Sequence, residues 1–202
     1  MNIKQFTSLI KSKEIEIKNL MRNQMPVIAG RIAKNHFQDN FHRSGFVNNG
    51  ITPWKESKRL SSGAKGANAN YKTLLSSRNN LYSSIKYVPG DGKVKISTTV
   101  SYASAHNFGE TVKPKVTQKM KAWAWAKYFE ETGIKKGMDP AAKKELNKSA
   151  SETAKMYKGL ALTKKQSLSI KMPKRKFIGE SAELNKAIAD EIDSQILNIL
   201  NK

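Results

Sequence analysis

The chain has 202 residues, of which 38% are hydrophobic, enough for one domain with a real core or a small domain carrying a long insertion. Its formal net charge of +21 repels itself inside a compact fold and is usually tolerated for a polyanionic partner: nucleic acid, an acidic protein surface or an anionic membrane. There is no cysteine, which excludes disulfides, thiolate zinc sites and thiol nucleophiles and fits assembly in a reducing cytoplasm.

The opening residues MNIKQFTSLIKSKEIEI lack the apolar stretch and small-residue cleavage site of a secretory signal. No run approaches the roughly 18 apolar residues of a membrane span. A soluble protein made in the cytosol, with no membrane partner, is expected. The first forty residues read as helical, with Phe6, Ile10, Ile17 and Met21 on one stripe. Pro26 interrupts and fits the first turn of a second helix, whose buried face would carry Val27, Ile28, Ile32, His36, Phe37 and Phe41.

Residues 45–73 lose the pattern, and SSGAKGANAN reads as an exposed, mobile loop in which Trp54 is the one large anchor nearby. Leu74, Leu75, Leu81 and Ile85 suggest a short helix capped by Ser76 and Ser77. A hairpin follows: Lys86–Val88, a turn at Pro89-Gly90-Asp91-Gly92, then Lys93–Val100 with Val94, Ile96, Thr98 and Val100 on the buried face.

A helix is expected from Thr117 to Thr132, stopped by Gly133. Another opens at Asp139-Pro140, an N-cap with proline at the first helical position, and continues through AAKKELNKSASETAKMYK. The even spacing of Leu160, Leu162, Leu168, Ile170 and Met172 predicts an extended stretch over 160–172. Ser181 caps a last helix, with Glu183 in its first turn and Leu184, Ile188, Ile192, Ile196 and Leu200 as its stripe. The expected fold is α+β: a small antiparallel sheet packed with N-terminal and C-terminal helices, in a single domain over 1–202 with a long basic helical insertion at 113–159.

No catalytic, metal or cofactor constellation emerges. His36 and His42 lie about 240° apart on a helix and do not converge. The glycines of GAKGAN lack the lysine-serine ending of a phosphate loop. Asp91 and Glu110 are isolated, whereas acid–base catalysis needs two convergent groups. In KAWAWAKYF, interleaved lysine and aromatics could signal base stacking with phosphate contact. Packing explains them more simply, because Trp123 and Trp125 point some 200° apart on a helix. One can then serve a core and the other a neighbouring subunit.

Four segments in order carry a resemblance: TPWKESKR at 52–59, NNLYSSI at 79–85, YASAHNFG at 102–109 and MPKRKFIG at 172–179. Together they resemble the virion morphogenesis (tail completion) family of Mu-like and related tailed phages. That family has a tryptophan before a polar stretch, a glycine-leucine-Ser-Ile segment, a Tyr-Ala…His-Gln-Phe-Gly pattern after a hairpin, and Ile-Pro-Ala-Arg-Pro-Phe-Leu-Gly before its last helix. The resemblance covers roughly 45–112 and 160–200. Asn79 stands where the family has glycine, and Asn tolerates the left-handed conformation. Lys174 and Lys176 replace a small residue and a proline, adding charge.

The resemblance implies a structural protein, not an enzyme: a tail-completion or head–tail joining (neck) subunit of the virion, contacting other tail and connector proteins. A homo-oligomeric ring, six-fold as in tail tubes, is expected. Candidate interface or structural residues are Trp54, Tyr102, His106, Asn107, Phe108, Gly109, Pro173, Arg175, Phe177 and Gly179. Pro173 would fix an extended chain, Phe177 serve as a buried or interface anchor, and Gly179 let the chain turn into Ser181. Tyr102 and Phe108 would pack while His106 and Asn107 bond to backbone. Charge concentrates toward the C-terminal half, with eighteen Lys/Arg against five Asp/Glu from Lys113 to Lys176. Lys164, Lys165, Lys174, Arg175 and Lys176 are therefore candidate contacts to a polyanion such as packaged DNA, and a sequence-independent nucleic-acid-binding protein is the alternative reading.

Overall fold

A computed structural model of the chain describes residues 2–57, Leu60 and 70–202. Residues 61–69 of the expected mobile loop lie outside them. The fold is α+β, but the expected single small sheet is instead three separate two-stranded antiparallel ribbons among the described residues. The chain forms two compact units, Met1–Glu110 with Met172–Lys202, and Thr111–Lys171. The helical stretch expected at 113–159 thus belongs to a unit of its own, bounded more widely than the sequence suggests.

In the first unit, Asn2 and Gln5 form a reciprocal capping box, each side chain accepting the other's backbone N–H at 2.9 Å. Helix α1 (Ile3–Asn19) then runs through a π-helical turn, Leu20–Gln24, into α2 (Met25–Arg43). Pro26 does sit in the first turn of α2, yet the path does not break. In a helix the carbonyl four residues before a proline loses its donor. Here that carbonyl, on Arg22, accepts the N–H of Gly92 at 3.0 Å. The Arg22 guanidinium also pairs with Asp91, so the tip of a distant hairpin fills the gap the proline leaves.

The buried face of α2 is rotated from the expected one. Met25, Ala29, Gly30, Ala33, Phe37, Asn40 and Phe41 point inward, Ile28, Ile32 and His36 are half-buried, and Val27 is exposed. Counting large apolar residues missed the small ones, which let the hairpin lie close. A Cβ built on Gly30 would stand 2.4 Å from the Tyr87 ring.

Ser44 ends α2 in the left-handed conformation, φ +52°. The stretch after it, expected to be loop, is a hairpin: β1 (Gly45–Val47) pairs with β2 (Ile51–Pro53), and Phe46 and Trp54 are buried. Next comes α3 (Asn80–Ser83), whose cap is Asn79 and not Ser76 or Ser77. Asn79 has φ +46°, the conformation that glycine would supply, and is stabilised by reciprocal bonds with Ser76. Strands β3 (Lys86–Gly90) and β4 (Lys93–Ser97) form the expected hairpin with a shorter turn, Asp91-Gly92, and β4 stops short of the expected Val100. Val94 and Ile96 face α2. After a second π-helical turn, Ala105–Gly109, the chain leaves this unit and returns at Met172 to build α7 (Ala182–Leu200). The core joins Phe37, Phe41, Phe46, Trp54, Leu81, Ile85, Ala103, Phe177 and Leu184.

The second unit opens and closes on a ribbon, β5 (Thr111–Val112) against β6 (Ile170–Lys171), extended by a bridge between Lys115 and Ser167. Helix α4 (Gln118–Thr132) is capped by Thr117 and stopped by Gly133 at φ +69°, as read from sequence. Asp139 caps α5 (Pro140–Lys148) through the N–H groups of Ala141 and Ala142. The predicted long helix divides here, because Ser151 caps a new one, α6 (Glu152–Leu162). Leu160 and Leu162, expected in an extended segment, are therefore helical. Helices α4 and α6 pack together around Ala124, Tyr128, Ala154 and Ala161.

Gly30→Ala should destabilise the protein by about 1–3 kcal/mol, since Tyr87 has to move. Gly159→Ala, in α6 with open space around it, should instead stabilise by about 0.5–1 kcal/mol. Urea-unfolding midpoints of the two variants check both signs.

Candidate functional site

The four motif segments meet in the first unit, around the extended stretch 172–181. This stretch contributes no strand there, so its backbone polar groups need other partners if they are buried. Met172 N–H donates to the Glu110 carbonyl at 3.0 Å and Arg175 N–H to the His106 carbonyl at 2.7 Å. The Asn107 side-chain oxygen then accepts two successive N–H groups, Phe177 at 2.8 Å and Ile178 at 3.1 Å. Asn40 donates to the Phe177 carbonyl at 3.2 Å while its oxygen accepts Val47 N–H at 3.1 Å. Trp54 Nε1 donates to the Lys176 carbonyl at 2.8 Å. The strap is thus fastened by side chains from three distant parts of the chain.

Phe177 is 1% exposed, its ring 5.3 Å from that of Phe41, which in turn meets Trp54 edge-on at 5.5 Å. It is a core residue and not an interface anchor. Gly109 has φ +80°, and a Cβ there would stand 2.9 Å from the Lys174 backbone nitrogen, so glycine is required twice over. Gly179 is less constrained. It makes room for the Lys176 stem and is not in a left-handed conformation. Pro173 is half-buried in the strap.

Two expected packing residues do not pack. Tyr102 and Phe108 are exposed, while Ala103, just ahead of the π-helical turn, and Ala105 and Asn107 within it point inward. Asn107 bonds to backbone as expected. His106 does so only through its own main chain, its carbonyl taking the Arg175 N–H and its N–H meeting the Tyr102 carbonyl. Its ring meets Tyr102 edge-on at 5.9 Å, and Nδ1 is buried with no hydrogen-bond partner.

The polyanion candidates separate. Arg175 is buried, and its guanidinium donates to the carbonyls of Lys55 at 2.8 Å and Glu56 at 3.1 Å, so this charge is not presented to a ligand. Lys176 lies over the Phe46 ring at 4.1 Å and donates to the Glu180 carbonyl at 3.3 Å. Lys164, Lys165 and Lys174 are exposed. Lys164 and Lys165 belong to the second unit and Lys174 to the first.

Just past the strap, Ser181 caps α7 at the Leu184 N–H. Glu183 accepts the N–H groups of Asn49 at 3.1 Å and Gly50 at 2.9 Å, and Asn48 accepts that of Ala182 at 2.9 Å. The Gly50 N–H, followed by the N–H of Glu183 itself at the helix start, holds the carboxyl below its ordinary 4.5. Sequence reading missed Asn40 and Asn48. A polar residue inside the apolar row of Ala33, Phe37 and Phe41 was the available signal for Asn40. Among the described residues no group of three His, Asp or Glu could hold a metal ion. Among the described residues no helix is long and apolar enough to cross a membrane. No protein-family model, curated protein or solved structure matches the chain.

Asn107→Ala should cost about 2–4 kcal/mol, because it leaves the N–H groups of Phe177 and Ile178 buried without an acceptor. Urea unfolding measures it, and a cost below that of an exposed alanine substitution would mean the strap is not held this way. A pH dependence also follows. Burial, and next the Arg175 charge, hold the His106 imidazole below its ordinary 6.5, and burial does the same to His36 against smaller opposing effects led by Glu183. The unfolded chain therefore binds more protons near pH 6. Stability should be complete above about pH 7 and fall as pH drops through 6.5 toward the folded values, with Glu183 adding its loss only below about pH 4.5. His106→Gln should flatten part of the slope between pH 7 and 5.

Proposed function

We propose that the protein is a structural subunit of a tailed-phage particle, one that completes the tail or neck and works by assembly and not by catalysis. The observation that carries this reading is that four segments far apart in sequence form one contact network. Trp54, Leu81 with Ile85, Asn107 with Gly109, and Arg175 with Phe177 all meet around the strap. The segments resemble the tail-completion family in order and in kind, and their convergence is what a shared structural framework requires.

A second feature supports assembly. Helix α1 buries no residue, and Ile3, Phe6, Leu9 and Ile10 are each at least 44% exposed. Its anchor to α7 includes the Lys13 ammonium, which donates to the Ile199 carbonyl at 2.6 Å, a cation at a helix C-terminus. Apolar surface held rigidly in water is a contact face. On this reading the face meets neighbouring copies in a ring, six-fold like a tail tube, or an adjoining tail or connector protein in the virion.

Phage lysates lacking the protein should contain DNA-filled heads and full-length tails that fail to join, with normal DNA replication, in electron micrographs. Joined infectious particles would overturn the reading, as would arrested replication. The double variant Phe6→Asp with Ile10→Asp should fold, since neither side chain is buried, and reproduce the unjoined particles.

A further inference from the structure

The second unit carries fifteen lysines and five carboxylates over residues 111–171, with no arginine. Several of the carboxylates are engaged: Glu130 with Lys127, Glu152 with Lys155, Glu131 with Ser151, and Asp139 at the α5 N-terminus. The unit also holds a cleft of about 650 Å³. One wall is aromatic. Trp125 and Phe129, one turn apart on α4, lie nearly parallel at 16° with ring centres 5.5 Å apart. Tyr128, itself buried, meets Trp125 edge-on at 5.7 Å.

Apart from Ile134 and Asn147, the rest of the lining is basic. Lys135, Lys136, Lys143 and Lys158 contribute to it and no carboxylate does. Among the described residues none of these four is in an ion pair. One end is fixed by a polar knot. Lys158 donates to Asn147 Oδ1 at 2.9 Å and stands 5.6 Å from the centre of the Tyr128 ring, and the Tyr128 hydroxyl bonds to the same oxygen. Asn147 in turn donates to the Lys143 carbonyl at 2.9 Å. Tyr128, which meets Trp125 edge-on, is therefore held in place beside the wall.

We propose that this cleft binds single-stranded nucleic acid, an unpaired base stacking against the Trp125–Phe129 wall while flanking phosphates meet Lys135, Lys136 and Lys143. A flat π-face beside ammonium groups suits a ligand that is planar and anionic within one residue length, which a nucleotide is. A cleft of this volume takes one or two such units and is small for a partner helix. Duplex nucleic acid keeps its bases stacked on each other, so it offers phosphates to the lysines but no face to the wall. An acidic peptide satisfies the lysines yet separates its carboxylates from any aromatic side chain by flexible links. This inference rests on the Thr111–Lys171 unit alone and stands apart from the assembly reading.

The test is fluorescence anisotropy of the full chain with a labelled twelve-residue oligothymidylate, a duplex of equal length and an Asp/Glu-rich peptide containing one Phe. The single strand should bind at least about ten-fold more tightly than the duplex at moderate salt, with quenching of tryptophan fluorescence. Phe129→Ala should lower single-strand affinity about ten-fold and leave duplex affinity unchanged. The triple variant Lys135→Gln, Lys136→Gln, Lys143→Gln should reduce the salt slope by about 2, at about 0.7 per phosphate on a single strand. The triple variant changes only lysines at the cleft rim, so it decides the matter even if Phe129→Ala fails to fold. Equal single-strand and duplex affinity, tighter binding of the acidic peptide, an unchanged salt slope in the triple variant, or no binding at low salt would each overturn the proposal.

Discussion

A buried stretch of extended backbone has to find hydrogen bonds, and in the first unit that requirement organises everything else. Residues 175–178 pass through the core without a neighbouring strand, so side chains take most of their N–H and C=O groups and the His106 carbonyl takes the Arg175 N–H. Asn107 supplies one oxygen for two donors, Asn40 takes the Phe177 carbonyl and Trp54 the Lys176 carbonyl. Each of these side chains is fixed in its turn: Asn107 by a π-helical turn, Asn40 by α2, Trp54 by the end of the β1–β2 hairpin. Loss of any one exposes a neighbour to an unmet polar group in a low-dielectric interior, which costs more than the bond itself contributes.

The same arrangement explains residues that resemble a site without acting as one. Arg175 carries a charge in a strongly basic segment, yet its donors face two carbonyls and its position is buried. Its role is to tie the strap to Lys55 and Glu56. Basic charge free for a partner is found elsewhere, on the rim of the second unit's cleft and on exposed lysines. The two units thus divide the chemistry: one uses polar groups to close its own core, and the other leaves cations facing outward beside an aromatic wall.

What could be read from sequence was what local rules determine. Thr117, Gly133, Asp139-Pro140 and Ser181 end or begin helices where capping chemistry says they should, and Asn79 takes the left-handed conformation expected of a glycine replacement. The β3–β4 hairpin follows from its period-two pattern. What failed depends on distant partners. Helix continuity through Pro26 needs Gly92, sixty-six positions later, to take the orphaned carbonyl. The inward face of α2 depends on the small residues that accept Tyr87, and large-residue periodicity does not see them. Of the motif residues, Asn107 bonds to backbone and Phe177 is buried, as their chemistry suggested. Phe108 was misjudged because a π-helical turn shifts which side chains face in, and Tyr102, ahead of that turn, stays exposed. The aromatic run of α4 was read as packing, and only the lysines brought round by α5 and α6 give its wall a charged rim.

Asn40 and the strap residue it holds, Phe177, are 137 positions apart. During synthesis at about 5–20 residues per second, Phe41 and Trp54 therefore leave the ribosome about six to twenty-seven seconds before the ring that seals them. The whole Thr111–Lys171 stretch, a compact unit by itself, emerges in that interval. Vectorial synthesis thus reverses the spatial order. The inserted unit is complete first, and the terminal unit stays open, its aromatic cluster uncovered, until the strap and α7 arrive. Over that interval the nascent chain offers holdase chaperones an apolar target that the strap and α7 later cover.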